Sequence, residues 1–144
     1  MRMRRRWVMA ALSLALAASV SGQQANTMKI RAVVDGQAIQ ATLLDSPTSR
    51  DFYSLLPMTI TLEDYASTEK IAYMPRKLST AGAPDGVDPA VGDIAYYAPW
   101  GNVAIFYRDA GYAKGLIKLG SLDSGIEILR ARGVLKVTIE PLAK

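Results

Sequence analysis

Apolar and polar positions alternate along most of the chain, and this pattern predicts a protein built mainly of β-strands. The run MKIRAVV, residues 28–34, places its apolar side chains on one face and its two basic side chains on the other. The run QAIQATLL follows after Asp35 and Gly36, a pair typical of a tight hairpin because both turn positions need positive φ. Near the end of the chain, LKVTIEP alternates in the same way, so we expect Val137 to face inward and Thr138 to face solvent.

Two short segments break the period of two and predict helices. In DSPTSRDFYSLLP, Ser46 suits an N-cap and Pro47 suits the first helical position. The helix that follows has about ten residues, carries an apolar stripe that begins at Phe52, and ends at Pro57. The segment SGIEILRARG predicts one or two helical turns that end near Gly133. With about eight strands, the pattern predicts a mostly β protein, a small closed or nearly closed β-barrel with two short helices.

The first 22 residues differ in composition from the rest. MRMRRR carries four arginines and no acid, and WVMAALSLALAASV is an uncharged run of the length found in signal peptides. This run is shorter than the roughly 20 apolar residues that a membrane span needs, so we expect no stable membrane anchor. We predict a signal peptide over 1–22, a polar linker over 23–27 and one domain over 28–142. A buried N-terminal helix is the alternative.

The charge of the chain is concentrated in that leading segment. The net charge is +4, from 17 basic and 13 acidic residues, and four of the basic residues precede Trp7. The remaining 13 basic residues equal the 13 acids, so the domain is near neutral and offers no general basic surface for nucleic acid. Without cysteine there is no lipid attachment at the cleavage site and no disulfide. We expect a periplasmic or secreted protein, exported by ordinary secretion or through the twin-arginine route.

The residue types present restrict the chemistry. Without histidine and cysteine, the common nucleophilic dyads and zinc sites are missing, and PDGVD lacks the repeated oxygen ligands of a calcium loop. We therefore predict no metal and no cofactor. The adjacent charged pairs in the middle of the chain are interpreted as surface charges, because exposure is the norm for such side chains; they are Glu63 with Asp64 and Glu69 with Lys70.

One stretch is unusually aromatic. GDIAYYAPWGNVAIFYRD, residues 92–109, contains two apolar strands around a turn at 99–102, and both faces of both strands carry apolar bulk. This is more apolar surface than is needed by a barrel whose strands have one buried and one solvent-exposed face. Either a helix or the long loop over 76–92 covers the second face, or the second face lines a pocket. Trp100, in the turn, either packs under a neighbouring loop or is held out for a partner.

The stretches GDIAYYAPWGNVAIFY and GLIKLG, with the terminal LKVTIEP, resemble the bacterial cyclophilin-like proteins, and the resemblance extends from 28 to 141. It implies a small β-barrel capped by short helices, in a group whose members mostly lack an assigned function. True cyclophilins isomerise prolyl bonds with an arginine, several aromatics, a glutamine and a histidine. This chain has no histidine, and no local motif matches the catalytic arginine, so the implied activity is an analogy of fold.

We predict a ligand site where strands run into loops. A cleft with aromatic walls and an arginine suits a proline-containing peptide or an anionic small molecule. The predicted site residues are Arg76, Tyr97, Trp100, Phe106, Tyr107, Arg108 and Tyr112. The first functional hypothesis is a binding domain. The alternative is a weak, divergent prolyl isomerase with Arg76 as the candidate catalytic donor, and a second alternative is a non-catalytic interaction module that uses Trp100. The sequence leaves open whether the protein is an enzyme.

Overall fold

The computed structural model describes residues 28–142, so the predicted signal peptide over 1–22 and linker over 23–27 lie outside the described residues. Within the described range, no helix is long and apolar enough to cross a membrane. The strands are β1 (Met28–Val34), β2 (Gln37–Leu43), β3 (Met58–Tyr65), β4 (Glu69–Tyr73), β5 (Gly86–Val87), β6 (Asp93–Tyr97), β7 (Asn102–Phe106), β8 (Ala113–Lys114), β9 (Leu116–Leu122) and β10 (Leu135–Pro141). The helices are α1 (Pro47–Ser54) and α2 (Ile126–Leu129).

Eight strands form a closed antiparallel barrel in the order β1-β10-β3-β4-β7-β6-β9-β2. The predicted mostly β fold, a closed barrel with two short helices, is therefore confirmed. The predicted hairpin lies between β1 and β2, where Asp35 has φ 48° and Gly36 has φ 77°. The alternation in β10 also has the predicted direction, because Val137 is buried in the barrel and Thr138 is exposed.

The two helices cover opposite ends of the barrel. Strand β1 pairs Met28 with Leu43 at one end and Val34 with Val137 near the other. Helix α1 directly follows Leu43, and α2 precedes β10 on the Val34 side, so each helix lies over a different end. Both helices contribute a side chain to the barrel core, and the larger of the two is Phe52, which is 1% exposed.

The N-terminus of α1 has the predicted cap. The Ser46 hydroxyl accepts a hydrogen bond from the Ser49 backbone N–H at 3.2 Å, and Pro47 occupies the first turn. The helix has eight residues rather than ten, because Leu55 already acts as the C-cap two residues before Pro57. The Ser49 hydroxyl donates to the Leu119 carbonyl at 2.8 Å, which attaches the start of the helix to β9.

A two-stranded ribbon covers part of the outer face of the barrel. The loops over 76–92 and 108–115 contribute β5 and β8, which pair Gly86 with Lys114 and Val87 with Ala113. Val87 and Ala113 pack on an apolar cluster outside the barrel that consists of Ala95, Ala104, Phe106 and Leu116. The second apolar face of the aromatic stretch is thus partly covered by the long loop, which was one of the two expected arrangements.

A polar cluster stabilises the barrel near α2. The Lys70 side chain is completely buried, and its ammonium nitrogen lies 2.6 Å from the Ala131 carbonyl oxygen, 2.8 Å from that of Gly133 and 2.9 Å from Asp64 Oδ1. These contacts use all three N–H donors of the lysine. The interpretation of Lys70 as a surface charge is therefore wrong, since the chain supplies three acceptors that compensate for burial of the charge.

Asp64 is the anionic partner in this cluster. Besides Lys70, it accepts a hydrogen bond from the Tyr107 hydroxyl at 2.8 Å and from the Gly133 backbone N–H at 3.0 Å. The bonds from Lys70 and Gly133 lower the pKa of Asp64 from 3.8 to about 2. The carboxylate thus connects β3 to β4, to the end of β7 and to the loop before β10.

We expect Asp64→Asn to lower the free energy of unfolding by about 3 kcal/mol at pH 7, because it leaves the buried Lys70 ammonium without its counter-charge. This loss of stability is at the lower end of the range for removing one partner of a buried ion pair, because Asp64 itself is partly exposed. Glu63→Gln, at the adjacent exposed position, is the matched control and is expected to change stability by less than about 0.5 kcal/mol. Urea denaturation of both variants measures the difference.

The same comparison has a defined pH dependence. The folded-state pKa of Asp64 is below its ordinary value, so its contribution is complete above pH 4 and is lost as pH falls through about 2. The difference between wild type and Asp64→Asn should therefore shrink between pH 4 and pH 2, because the wild-type carboxyl becomes neutral. A difference that stays constant over this range would contradict the role assigned to the charge.

Candidate functional site

A cleft of about 380 Å³ lies on the outside of the barrel, in the part of the chain that the structure describes. Three loops border it: the turn between β3 and β4, the turn between β6 and β7, and the loop before β8. Its lining residues are Tyr65, Ala66, Thr68, Glu69, Tyr97, Trp100, Asn102, Phe106, Asp109, Ala110, Gly111, Tyr112, Ala113 and Leu116.

The strand register explains why these side chains meet outside the barrel. Val103 and Ile105 of β7 belong to the interior core, so the alternate residues of that strand face outward. Cross-strand partners share a face, and the outward Phe106 pairs with Glu69 of β4. Tyr97 of β6 likewise lies opposite Leu116 of β9. The floor of the cleft is therefore the outer surface of four neighbouring strands.

The aromatic wall is fixed by ring contacts. The Trp100 ring lies 5.4 Å from the Tyr65 ring and 5.3 Å from the Tyr97 ring, with interplanar angles of 87° and 79°. Aromatic pairs favour this edge-to-face geometry. The turn that carries Trp100 is closed by the Gly101 N–H, which donates to the Tyr97 carbonyl at 2.9 Å. Trp100 is still 47% exposed, so it is both packed against neighbours and accessible from solvent.

Asn102, one of the residues that line the cleft, carries an unused acceptor. Its side chain is 2% exposed, and its amide nitrogen donates to the Val103 carbonyl at 3.1 Å. Its Oδ1 is buried and has no hydrogen-bond partner among the described residues. A buried acceptor without a donor costs about 1–3 kcal/mol, so this oxygen favours any molecule that brings a donor to it.

The charged groups of the cleft are all acidic. Glu69 is half-buried and accepts a hydrogen bond from the Thr68 hydroxyl at 3.3 Å. Burial raises the pKa of Glu69 above its usual 4.5. Asp109 is the second carboxylate, and among residues 28–142 no lysine or arginine lines the cleft. Neither carboxylate forms an ion pair within residues 28–142, so the charged side chains that line the cleft are both negative and uncompensated by a direct partner.

The predicted site residues occupy three different places. Tyr97, Trp100, Phe106 and Tyr112 line the cleft together. Arg76 does not line it, because its guanidinium forms two hydrogen bonds, of 2.7 and 2.9 Å, with the carboxylate of Asp51 on α1. The pKa of Asp51 is lowered to about 2 by Arg76 and by the Ser79 N–H, so this pair holds the long loop against the helix.

Tyr107 and Arg108 lie at a second depression, of about 290 Å³. Burial raises the pKa of Tyr107, and its hydroxyl donates to Asp64, which makes this residue part of the polar cluster around Lys70. Arg108 lines the depression together with Arg130 and Arg132. The expected single rim that joins Trp100 to arginines is thus not formed, and a ligand-binding role for each residue stays a prediction.

Several cleft residues were not identified from the sequence. Tyr65 and Asn102 stand at the last position of one strand and the first position of another, where alternation does not indicate a site. Glu69 was interpreted as a surface charge, and only its pairing with Phe106 reveals that it borders an apolar floor. The acidic character of the cleft was missed for the same reason.

The chain also contains one S-x-x-K pattern, from Ser67 to Lys70, a spacing that some serine nucleophiles use. A base in such a pair must have a free position for the serine proton. The Lys70 ammonium here already contacts three acceptors, so the pattern serves the polar cluster rather than nucleophilic catalysis.

Comparison with known proteins agrees with this architecture. A hypothetical protein of Archaeoglobus fulgidus, whose structure was determined in solution, superposes with a TM-score of 0.61 at 18% identity. The alignment covers 84% of this chain and 99% of the archaeal one, and at this identity it shows the fold alone. No curated protein is significantly similar to the chain. The model of the cyclophilin-like family matches residues 32–140, more than half of the sequence, and the chain therefore belongs to the cyclophilin-like family.

Proposed function

We propose that this protein is an exported cyclophilin-like domain that binds a peptide or a small ligand in the outer cleft. The observation that carries the proposal is the convergence of five aromatic side chains on a single cleft, which Asn102, with its unpartnered buried Oδ1, also lines. The cleft volume of about 380 Å³ falls within the range of small-molecule sites, about 300–1,000 Å³.

The cleft is suited to binding without large rearrangement. Its floor consists of strand residues, and Phe106 and Leu116 are both 3% exposed, so the floor is held by barrel packing. Its wall is held by the ring contacts of Trp100 with Tyr65 and Tyr97. A ligand therefore meets aromatic side chains whose positions are already fixed, which lowers the entropic cost of association.

The isomerase alternative lacks support from the geometry of the cleft. Its mechanism needs an arginine that donates to the X-Pro amide inside an apolar pocket. Arg76 is engaged by Asp51, and Arg108 lines the other depression. Binding without prolyl isomerisation is thus the function that the arrangement favours.

We expect a proline-containing tetrapeptide to quench the fluorescence of Trp100 in a saturable way. The full chain with Trp7→Phe is the sample, because Trp100 is then its only tryptophan. Tyr112→Ala should weaken binding at least about fivefold, since the ring lines the cleft. Tyr73→Ala is the matched control, because Tyr73 is equally exposed, at 65% against 64%, but does not line this cleft. Equal affinities of the two variants would place binding elsewhere.

We expect less than tenfold acceleration of X-Pro isomerisation, and the same rate for wild type and Arg76→Ala, because Arg76 lies outside the cleft. A tenfold effect corresponds to only about 1.4 kcal/mol, so the assay is a sensitive one. A protease-coupled assay on an Ala-Pro peptide measures both proteins. Strong turnover that disappears in Arg76→Ala, while the melting curve is unchanged, would instead establish the isomerase alternative.

Export is expected to remove the leading segment. The arginine-rich start and the uncharged run that follows it are recognised by the secretion machinery. In a bacterial host, intact-mass analysis of the exported product should show an N-terminus close to residue 22. Recovery of the protein in the cytoplasmic fraction with residues 1–19 intact would contradict the export proposal and leave the cleft proposal unaffected.

A further inference from the structure

We propose that the outer cleft selects organic cations, namely ligands that carry an alkylammonium group with apolar substituents. This inference rests on the proposed function, because it concerns the ligand of the same cleft. A cationic ligand also differs from the anionic small molecule expected from the sequence, because that expectation depended on an arginine at the rim of the cleft. The argument depends on three features of the cleft: the sign of its charges, the arrangement of its rings and its unused acceptor.

The charges of the cleft favour a cation. Glu69 and Asp109 are its two charged groups, and neither has a basic partner among the described residues. Glu69 is half-buried beside Phe106, so its carboxylate has lost part of its hydration without gaining a counter-charge. The raised pKa of Glu69 reflects this deficit. An ammonium group supplies the missing charge, whereas a carboxylate or phosphate ligand meets two like charges.

The rings of the cleft also favour a cation. The face of an aromatic ring is the negative pole of its quadrupole, and it attracts ammonium groups within about 6 Å of the ring centre. Trp100 stands nearly perpendicular to both Tyr65 and Tyr97, so the ring surfaces of the wall face in two directions, which suits a tetrahedral group. Trp100 is 47% exposed at this position, so its surface is accessible to a ligand.

Two polar side chains of the cleft, Asn102 and Thr68, offer acceptor oxygens to a ligand. Asn102 Oδ1 is buried and unpartnered, and the Thr68 hydroxyl proton is already directed to Glu69. A ligand that carries a hydroxyl or amide N–H close to its ammonium group gains a further hydrogen bond once a local movement exposes the Asn102 oxygen. A neutral ligand that only stacks on the rings uses the aromatic wall but leaves the carboxylates without a partner.

Choline and its neutral carbon isostere, dimethylbutanol, have the same shape and differ in charge, so they test the proposal directly. Binding is followed by Trp100 fluorescence in the full chain with Trp7→Phe at constant ionic strength. We expect choline to bind at least tenfold more tightly than the isostere. Glu69→Gln should weaken choline binding at least tenfold, whereas Glu63→Gln, which removes the same charge outside the cleft, should change it less than twofold.

An acetylated trimethyllysine amide, compared with choline, identifies the source of the ammonium group. Tighter binding of the amide assigns a peptide side chain, and tighter binding of choline assigns a free small molecule; both support the cationic ligand.

Equal affinity for choline and the isostere would overturn the inference and leave ligand binding in the cleft standing. If the proline peptide binds but neither choline nor the trimethyllysine amide changes the fluorescence, the inference is also overturned and ligand binding in the cleft still stands. If none of these ligands binds, the inference and the proposed function both fail. Should Glu69→Gln not fold, as judged by its thermal melt, the isostere comparison alone decides.

Discussion

Closure of the barrel at the seam between β2 and β9 is the constraint on which the rest of the structure depends. This seam has only three paired positions, from Ala41 with Leu122 to Leu43 with Gly120. The strands approach so closely there that a Cβ on Gly120 would lie 2.2 Å from the Thr42 carbonyl oxygen. Additional bonds reinforce the seam: the Leu44 N–H and the Ser49 hydroxyl both donate to the Leu119 carbonyl at 2.8 Å. Helix α1 is therefore part of the closure as well as a cap.

The interior of the described barrel is a packed core. Inward side chains from all eight strands fill the interior, and the largest of them, Tyr96, is 1% exposed. Its hydroxyl accepts a hydrogen bond from the Leu78 N–H at 3.1 Å, so even the polar tip of this ring is engaged. The candidate cleft lies outside this packed interior. There the β5–β8 ribbon covers part of a second apolar layer, and the remaining part becomes the floor of the cleft.

The sequence predicted the features that follow from a local pattern. Apolar and polar residues alternate along strands that have one buried and one solvent-exposed face, so the barrel strands were recognised. The cap at Ser46 was recognised because it depends only on residues within one helical turn. Strands β5 and β8 were missed because two residues carry no period. The environment of Lys70 was missed because its acceptors, the Ala131 and Gly133 carbonyls, lie some 60 positions away in sequence. The aromatic part of the site was predicted from composition, whereas its acidic part depends on strand register.

The ribbon gives the cleft a second set of determinants behind the ligand surface. Gly86 of β5 lies so close to β8 that a Cβ there would be 2.7 Å from the Tyr112 hydroxyl and 2.3 Å from the Ala113 carbonyl oxygen. The position of Tyr112 at the rim is thus coupled to a residue in the long loop that does not line the cleft. Since the barrel core takes no part in this contact, sequence changes in the two loops can reshape the cleft while the fold is retained. The shape of the cleft thus depends on the backbone packing of the two loops as well as on the side chains that line it.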